Sequence, residues 1–134
     1  METPRPANGA ILTRGRHGQH EIIIHNGTNQ DAVVKVRSTK GSGRVAFYVH
    51  ARSTAKAGLP DGDYTVLFAT GQKFSQTCDK FLYDFQTWRF PGVQEFQTRV
   101  EGQYTVSNVI EFILHTVPTG NIERRPIPLS EWFG

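Results

Sequence analysis

The stretch Gly58-Leu59-Pro60-Asp61-Gly62-Asp63-Tyr64-Thr65-Val66-Leu67-Phe68-Ala69-Thr70-Gly71 decides the reading of the fold. Pro60 presets the backbone for a turn, and Asp61-Gly62 completes the reversal. Behind the turn, Tyr64, Val66 and Phe68 fall on one face of an extended run, which Gly71 closes. Asp61 and Asp63 flank Gly62 in a way that raises calcium as a question. The remaining ligands of a calcium loop are missing, and turn chemistry accounts for both residues.

The same pattern repeats on either side. His20–His25 sets Ile22 and Ile24 against Glu21, Ile23 and His25. Ala32–Arg37 sets Val34 and Val36 against Val33, Lys35 and Arg37, and the turn-rich Asn26–Gln30 between these runs predicts a hairpin. Arg44–Ala51 turns Val45, Phe47 and Val49 inward and Ala46, Tyr48 and His50 outward. Ser53–Lys56 reads as a short strand or extended edge. Phe81, Tyr83 and Phe85 alternate, and Tyr104–Val117 sets Ile110, Phe112 and Leu114 against Glu111, Ile113 and His115. The interval Phe74–Phe96 is irregular and aromatic, the place for a short helix, a lid-like loop or plain core. With 13 Gly, 7 Pro and few helix formers, the chain predicts an all-β fold. Seven or eight strands make an antiparallel β-sandwich, immunoglobulin-like or jelly-roll-like, with a closed barrel as the second architecture.

The 134 residues amount to one domain. Residues 1–19 form a Gly/Pro/Arg arm whose apolar content is the pair Ile11-Leu12, and residues 20–134 form the sandwich. At the other end Trp132 and Phe133 must pack on the domain or on a partner, because each buried aromatic is worth about 1.5–3 kcal/mol.

Charge and composition exclude several classes. The net charge is +3, and apart from Arg14-Arg16-His17 and Arg124-Arg125 the cations are scattered among acids, which argues against nucleic acid. Nothing approaches the ~18 apolar residues of a membrane span. Met1–Gly9 has no apolar h-region, so the expected location is the cytoplasm by default, with export by another route left open. The lone Cys78 excludes an internal disulfide and reads as a buried, inert thiol. Asn26-Gly27-Thr28 has the form of a glycosylation sequon but reads as a turn.

Three kinds of site compete. His25, His50 and His115 share an outward phase with Glu21 and Glu111, the residue types of a zinc or iron site, but no motif spacing supports a metal and no cofactor is assigned. There is no nucleophile elbow, and Gly41-Ser42-Gly43-Arg44 is a hairpin connection rather than a phosphate loop. Tyr48, Trp88 and Trp132 are the aromatics for a carbohydrate or other small ligand. Ile11, Leu12, Arg14, Arg16, Trp132 and Phe133, with open edge strands, are the parts by which copies of the chain would join. The expectation is a non-catalytic structural or interaction subunit that self-assembles; a ligand-binding module is the alternative and a small metal-dependent enzyme the third.

The segments Asn26-Gly27-Thr28…Asp31–Val36, Tyr48–Ala51, Leu59–Tyr64, Phe68–Gly71, Phe96-Gln97-Thr98, Ile110–His115, Gly120-Asn121 and Ile127…Glu131-Trp132-Phe133 are similar to an uncharacterised bacterial β-rich domain. That domain usually follows another module at the C-terminus of its protein. The resemblance covers about residues 20–133. It implies a β-rich fold and brings no catalytic residues with it.

Overall fold

The computed structural model describes residues 5–13, 18–40, 44–90, 92–97, 99–101, 104–106, 109–114 and 125–133. Its strands are β1 (Ile11–Thr13), β2 (His20–Asn26), β3 (Asp31–Ser38), β4 (Arg44–Val49), β5 (Thr54–Leu59), β6 (Gly62–Ser75), β7 (Lys80–Arg89), β8 (Gln94–Phe96), β9 (Arg99–Glu101), β10 (Tyr104–Val106), β11 (Val109–Leu114) and β12 (Arg125–Pro126). A short helix, α1 (Leu129–Phe133), closes the described chain. Seven strands are six residues or longer, and pieces of two or three residues trim the edges.

The large sheet runs β1-β4-β3-β6-β7-β12, with β8 also on β6; the small sheet runs β11-β2-β5, and β9 and β10 pair separately. Among the described residues both sheets end in open edges, so the architecture is a β-sandwich and not a barrel. All strand pairs are antiparallel except β2 with β11, which run parallel from Glu21 opposite Val109 to Asn26 opposite Leu114. Ile22, Ile24, Ala55, Ala57, Leu59 and Leu114 of the small sheet pack against Val34, Val36, Phe47, Val66 and Phe68 of the large one. The alternation of β2, β4, β6 and β11 set these inward positions, as period-two patterning requires.

The expected hairpin of His20–His25 with Ala32–Arg37 does not form. β2 lies in the small sheet between β5 and β11, whereas β3 lies in the large sheet between β4 and β6. The turn-rich link is instead a crossing between sheets, held by the buried Asn26 side chain. Its Nδ2 donates to the Gln30 and His50 carbonyls at 2.8 and 3.2 Å. Its Oδ1 accepts from the Thr28 amide and hydroxyl at 3.0 and 2.7 Å. The sequon is thus a structural knot, as a turn reading implies.

A second correction concerns the outward face of β4. Ala46 and Tyr48 point away from the small sheet but are buried. Val33, Tyr48, Leu67, Ala69, Phe74, Phe81 and Trp132 form a second core on that side, with Ala10, Leu12, Phe85 and Ile127 against it. The large sheet is therefore covered on both faces, which alternation alone does not announce. The helix lies at Leu129–Phe133, while Phe74–Phe96 is mostly the β6–β7 hairpin.

That hairpin also departs from simple alternation. Its register shifts between Thr70 and Gln72, and Lys73 and Asp84 adopt left-handed backbone at φ 57° and 55°. Phe81 and Phe85 pack on the second core while Tyr83 stays 57% exposed. A bulge of this kind re-aims side chains locally.

Candidate functional site

The described arm, residues 5–13, lies on its own domain. Gly9 N donates to Tyr48 O at 2.7 Å, Tyr48 N donates to Ala10 O at 2.9 Å, and β1 pairs with β4. Asn8 Nδ2 donates to Thr54 O, and Asn8 Oδ1 accepts from His50 N. Arg5 grips Asp31 with two hydrogen bonds, Nε to Oδ2 at 2.7 Å and Nη2 to Oδ1 at 2.8 Å.

Asp31 is the centre of this junction. It also accepts from the Tyr48 hydroxyl at 2.7 Å and the Ala51 amide at 2.9 Å. Burial pushes its carboxyl up, but the bonds from Arg5, Tyr48 and Ala51 outweigh that, and its pKa lies below the usual carboxylate value. Burial and the Asp31 carboxylate together push the Tyr48 phenol well above its ordinary range. Such a phenol stays neutral and serves as a donor. A cavity of about 370 Å³ adjoins the junction, bordered by Arg5, Asp31, Tyr48, Lys73 and Phe74 among others.

A second polar cluster forms where α1 meets the large sheet. β3 directs Lys35 and Arg37 to the outer face, and its neighbour β4 places Arg44 directly opposite Arg37. Lys35 Nζ bonds Asp79 Oδ2 at 2.5 Å and Trp132 O at 3.0 Å, and sits 4.0 Å from the Trp132 ring centroid. Arg37 donates to Glu131 O at 2.6 Å and also to Trp132 O. Cations on the last carbonyls of a helix satisfy groups that the helix itself leaves unbonded. Burial lowers the pKa of Lys35, which Asp79 opposes and the Arg37 and Arg44 charges reinforce. Arg37 is lowered in the same way, by burial first and then by Arg44. A cavity of about 300 Å³ opens beside these residues.

The aromatics expected to bind ligand do not share a surface. Tyr48 and Trp132 are buried in the second core, and the Trp132 indole donates to Asp79 O at 2.9 Å. Trp88 packs on the opposite face of the sheet, stacked on Phe68 at 6.4 Å between centroids. Of the assembly residues, Leu12 is half-buried, and Ile11 and Phe133 are exposed. Arg14 and Arg16 lie outside the described residues, as does His115.

The histidines separate too. His25 Nε2 lies 3.1 Å from Glu111 Oε2, and its Nδ1 lies 3.0 Å from Thr54 Oγ1, so the shared outward phase of His25 and Glu111 is real. His50 instead pairs its Nε2 with Pro6 O at 2.7 Å. No group of three metal-ligating side chains gathers among the described residues. Asp61 of the Asp-Gly-Asp turn lies 2.5 Å from His20 Nε2. Cys78 is exposed, contrary to a buried thiol, because it sits at the tip of the β6–β7 hairpin beside left-handed Asp79.

Asp31, Lys35, Arg37, Arg44 and Asp79 carry no motif that marks them in the sequence as site residues. The signal available was the outward phase of Lys35 and Arg37 in a run whose inward phase is all Val, which looks like an ordinary solvated face. No protein-family model matches the chain, and neither the curated proteins nor the solved structures supply a match.

Proposed function

We propose that the chain is a non-catalytic interaction subunit that joins copies of itself through the open edge of β11. The observation that carries this is the contrast between sheet edges. The large sheet ends in β1 and β12, three and two residues long; β12 covers only Trp88 and Arg89 of β7, and the rest of that edge carries the exposed Lys80 and the exposed, left-handed Asp84, which break up a template for another strand. The small sheet ends on one side in β5, which carries the exposed Lys56 and is followed by Pro60; both discourage pairing. On the other side β11 is six residues long and has no partner beyond β2 among the described residues. Its outward side chains Val109 and Ile113 are 54% and 56% exposed, next to the half-buried Ile23.

A second copy satisfies this edge by antiparallel β11–β11 pairing about a two-fold axis. Centring the register on Phe112 sets Ile113 of each copy opposite Glu111 of the other and avoids a direct Glu111–Glu111 encounter. The terminal segments then act within one copy, holding the second core together. Light scattering across a dilution series should give a dimer or larger species. Ile113→Lys, placing a charge in the paired edge, should shift it to monomer, and Phe133→Ser should leave association unchanged. A wild-type chain that stays monomeric at every concentration would sink the reading.

A further inference from the structure

We infer that the cavity between β3, β4 and the end of α1 is a binding site for a small organic anion, with a carboxylate or phosphate head and an apolar body. The starting point is a pair that a sheet should avoid. Arg37 and Arg44 face each other across β3 and β4, and Lys35 lies two residues along the same face. Like charges directly opposite in a ladder are destabilising, so three neighbouring cations call for a compensating anion.

The described protein supplies only part of it. Asp79 is the one carboxylate lining the cavity among the described residues, and it is held by Lys35 at 2.5 Å. Glu131 contributes its backbone carbonyl to Arg37, while its carboxylate lies 3.8 Å from Arg89. Arg37 spends its two terminal nitrogens on the helix carbonyls, which leaves a buried Nε–H with no acceptor among the described residues. Arg44 is exposed at the rim. Among the described residues the three cations thus share the nearby Asp79 and the Glu131 carboxylate, whose charge also reaches Arg37, with donor capacity on two guanidinium groups left over. Planar guanidinium donors suit carboxylate and phosphate oxygens, often two at a time.

The walls define the rest of the ligand. Leu12, Val45, Phe74 and Phe133 line the same space, and Phe133 is 46% exposed beside it. Thr13 and Gln76 add polar groups near the cations. The volume of about 300 Å³ falls at the small end of ligand pockets. An anionic head on Arg37 and Arg44, with an aromatic or aliphatic body against Phe133 and Leu12, uses both kinds of lining.

The test is isothermal titration of the intact chain with phenyl phosphate, benzoate, inorganic phosphate and phenol. One or both aromatic anions should bind saturably at one per chain, and which one wins tells the phosphate head from the carboxylate. Binding should weaken as salt rises, and phenol should bind at least about tenfold more weakly. Arg44→Gln should cost about tenfold or more in affinity with an unfolding temperature no lower than the wild type's, since it removes an exposed charge that faces Arg37. Lys56→Gln, on the small sheet, should change nothing. Equal affinity of the wild type and Arg44→Gln, or no saturable binding of either aromatic anion, overturns the site. Inorganic phosphate binding as tightly as phenyl phosphate overturns the role given to the apolar wall.

Discussion

Asp31 carries more of the structure than its neighbours in sequence suggest, because it ties the arm, β3, β4 and the turn after β4 to one carboxylate. Its lowered pKa has a definite consequence for acid stability. Below the ordinary carboxyl value of 3.8 the unfolded chain takes up a proton before the folded one does. The stabilisation is therefore complete above that value and is lost as pH falls through the folded pKa. Asp31→Asn should lower stability at neutral pH by about 1.5–3 kcal/mol, the range for hydrogen bonds to a charged group. The variant should also lose part of the wild type's decline in urea midpoint on acidification. An unchanged acid profile would show that Asp31 is not the group responsible. Little of this was legible beforehand. Alternation placed Tyr48 on the outward face correctly, but its burial comes from Phe74 and Phe81 of the second core and from an arm docked by Arg5, Asn8 and backbone groups, none of which leaves a periodic trace.

Among the elements, the β6–β7 hairpin departs furthest from a regular ladder. β6 runs 14 residues, and its inner half obeys the alternation of Tyr64, Val66 and Phe68. Past Gly71 the strand folds its aromatics onto the other face, where Phe74 and Phe81 meet Tyr48 at centroid distances of 5.7 and 6.3 Å. The switch needs glycine at its pivot. A Cβ on Gly71 would lie 2.5 Å from Phe81 Cβ and 2.8 Å from the Tyr83 carbonyl, and neither backbone nor Cβ can yield cheaply. Gly71→Ala should therefore destabilise by about 1–3 kcal/mol, the cost of overpacking a close approach, read from the thermal unfolding midpoint. A neutral result would mean that the hairpin has room to shift. In the sequence Gly71 looked like the end of a strand. The difference arises because a glycine that terminates pairing and one that permits a close approach carry the same letter, and only the partner, Phe81, tells them apart.

At the scale of the whole molecule the decisive event is the chain's passage from one sheet to the other between β2 and β3. The sandwich, the long strands β2, β3, β4 and β6 and their inward faces follow from period-two patterning and were legible; the short strands β1, β8, β9 and β12 were not, and the run Tyr104–Val117, which reads as one strand, is split between β10 on β9 and β11 on β2. Strand order was not legible either, since a hairpin and a crossing use the same turn residues and differ only in where distant strands lie. β2 takes β11 as its parallel partner from almost ninety residues away, a non-local choice that local patterning does not encode. What holds the crossing is Asn26, whose buried amide bonds Gln30, His50 and Thr28 and so joins the end of β2 to the start of β3 and the end of β4. Replacing it with alanine leaves those buried groups short of partners, each worth about 1–3 kcal/mol when unsatisfied. Asn26→Ala should then cost about 2–4 kcal/mol in a denaturant titration. Because one core cluster spans both sheets, the loss should appear as a single cooperative transition shifted to lower denaturant, with an unchanged slope. Two separated transitions, followed by Trp fluorescence and by backbone circular dichroism, would show instead that the sheets unfold independently and that the crossing does not couple them.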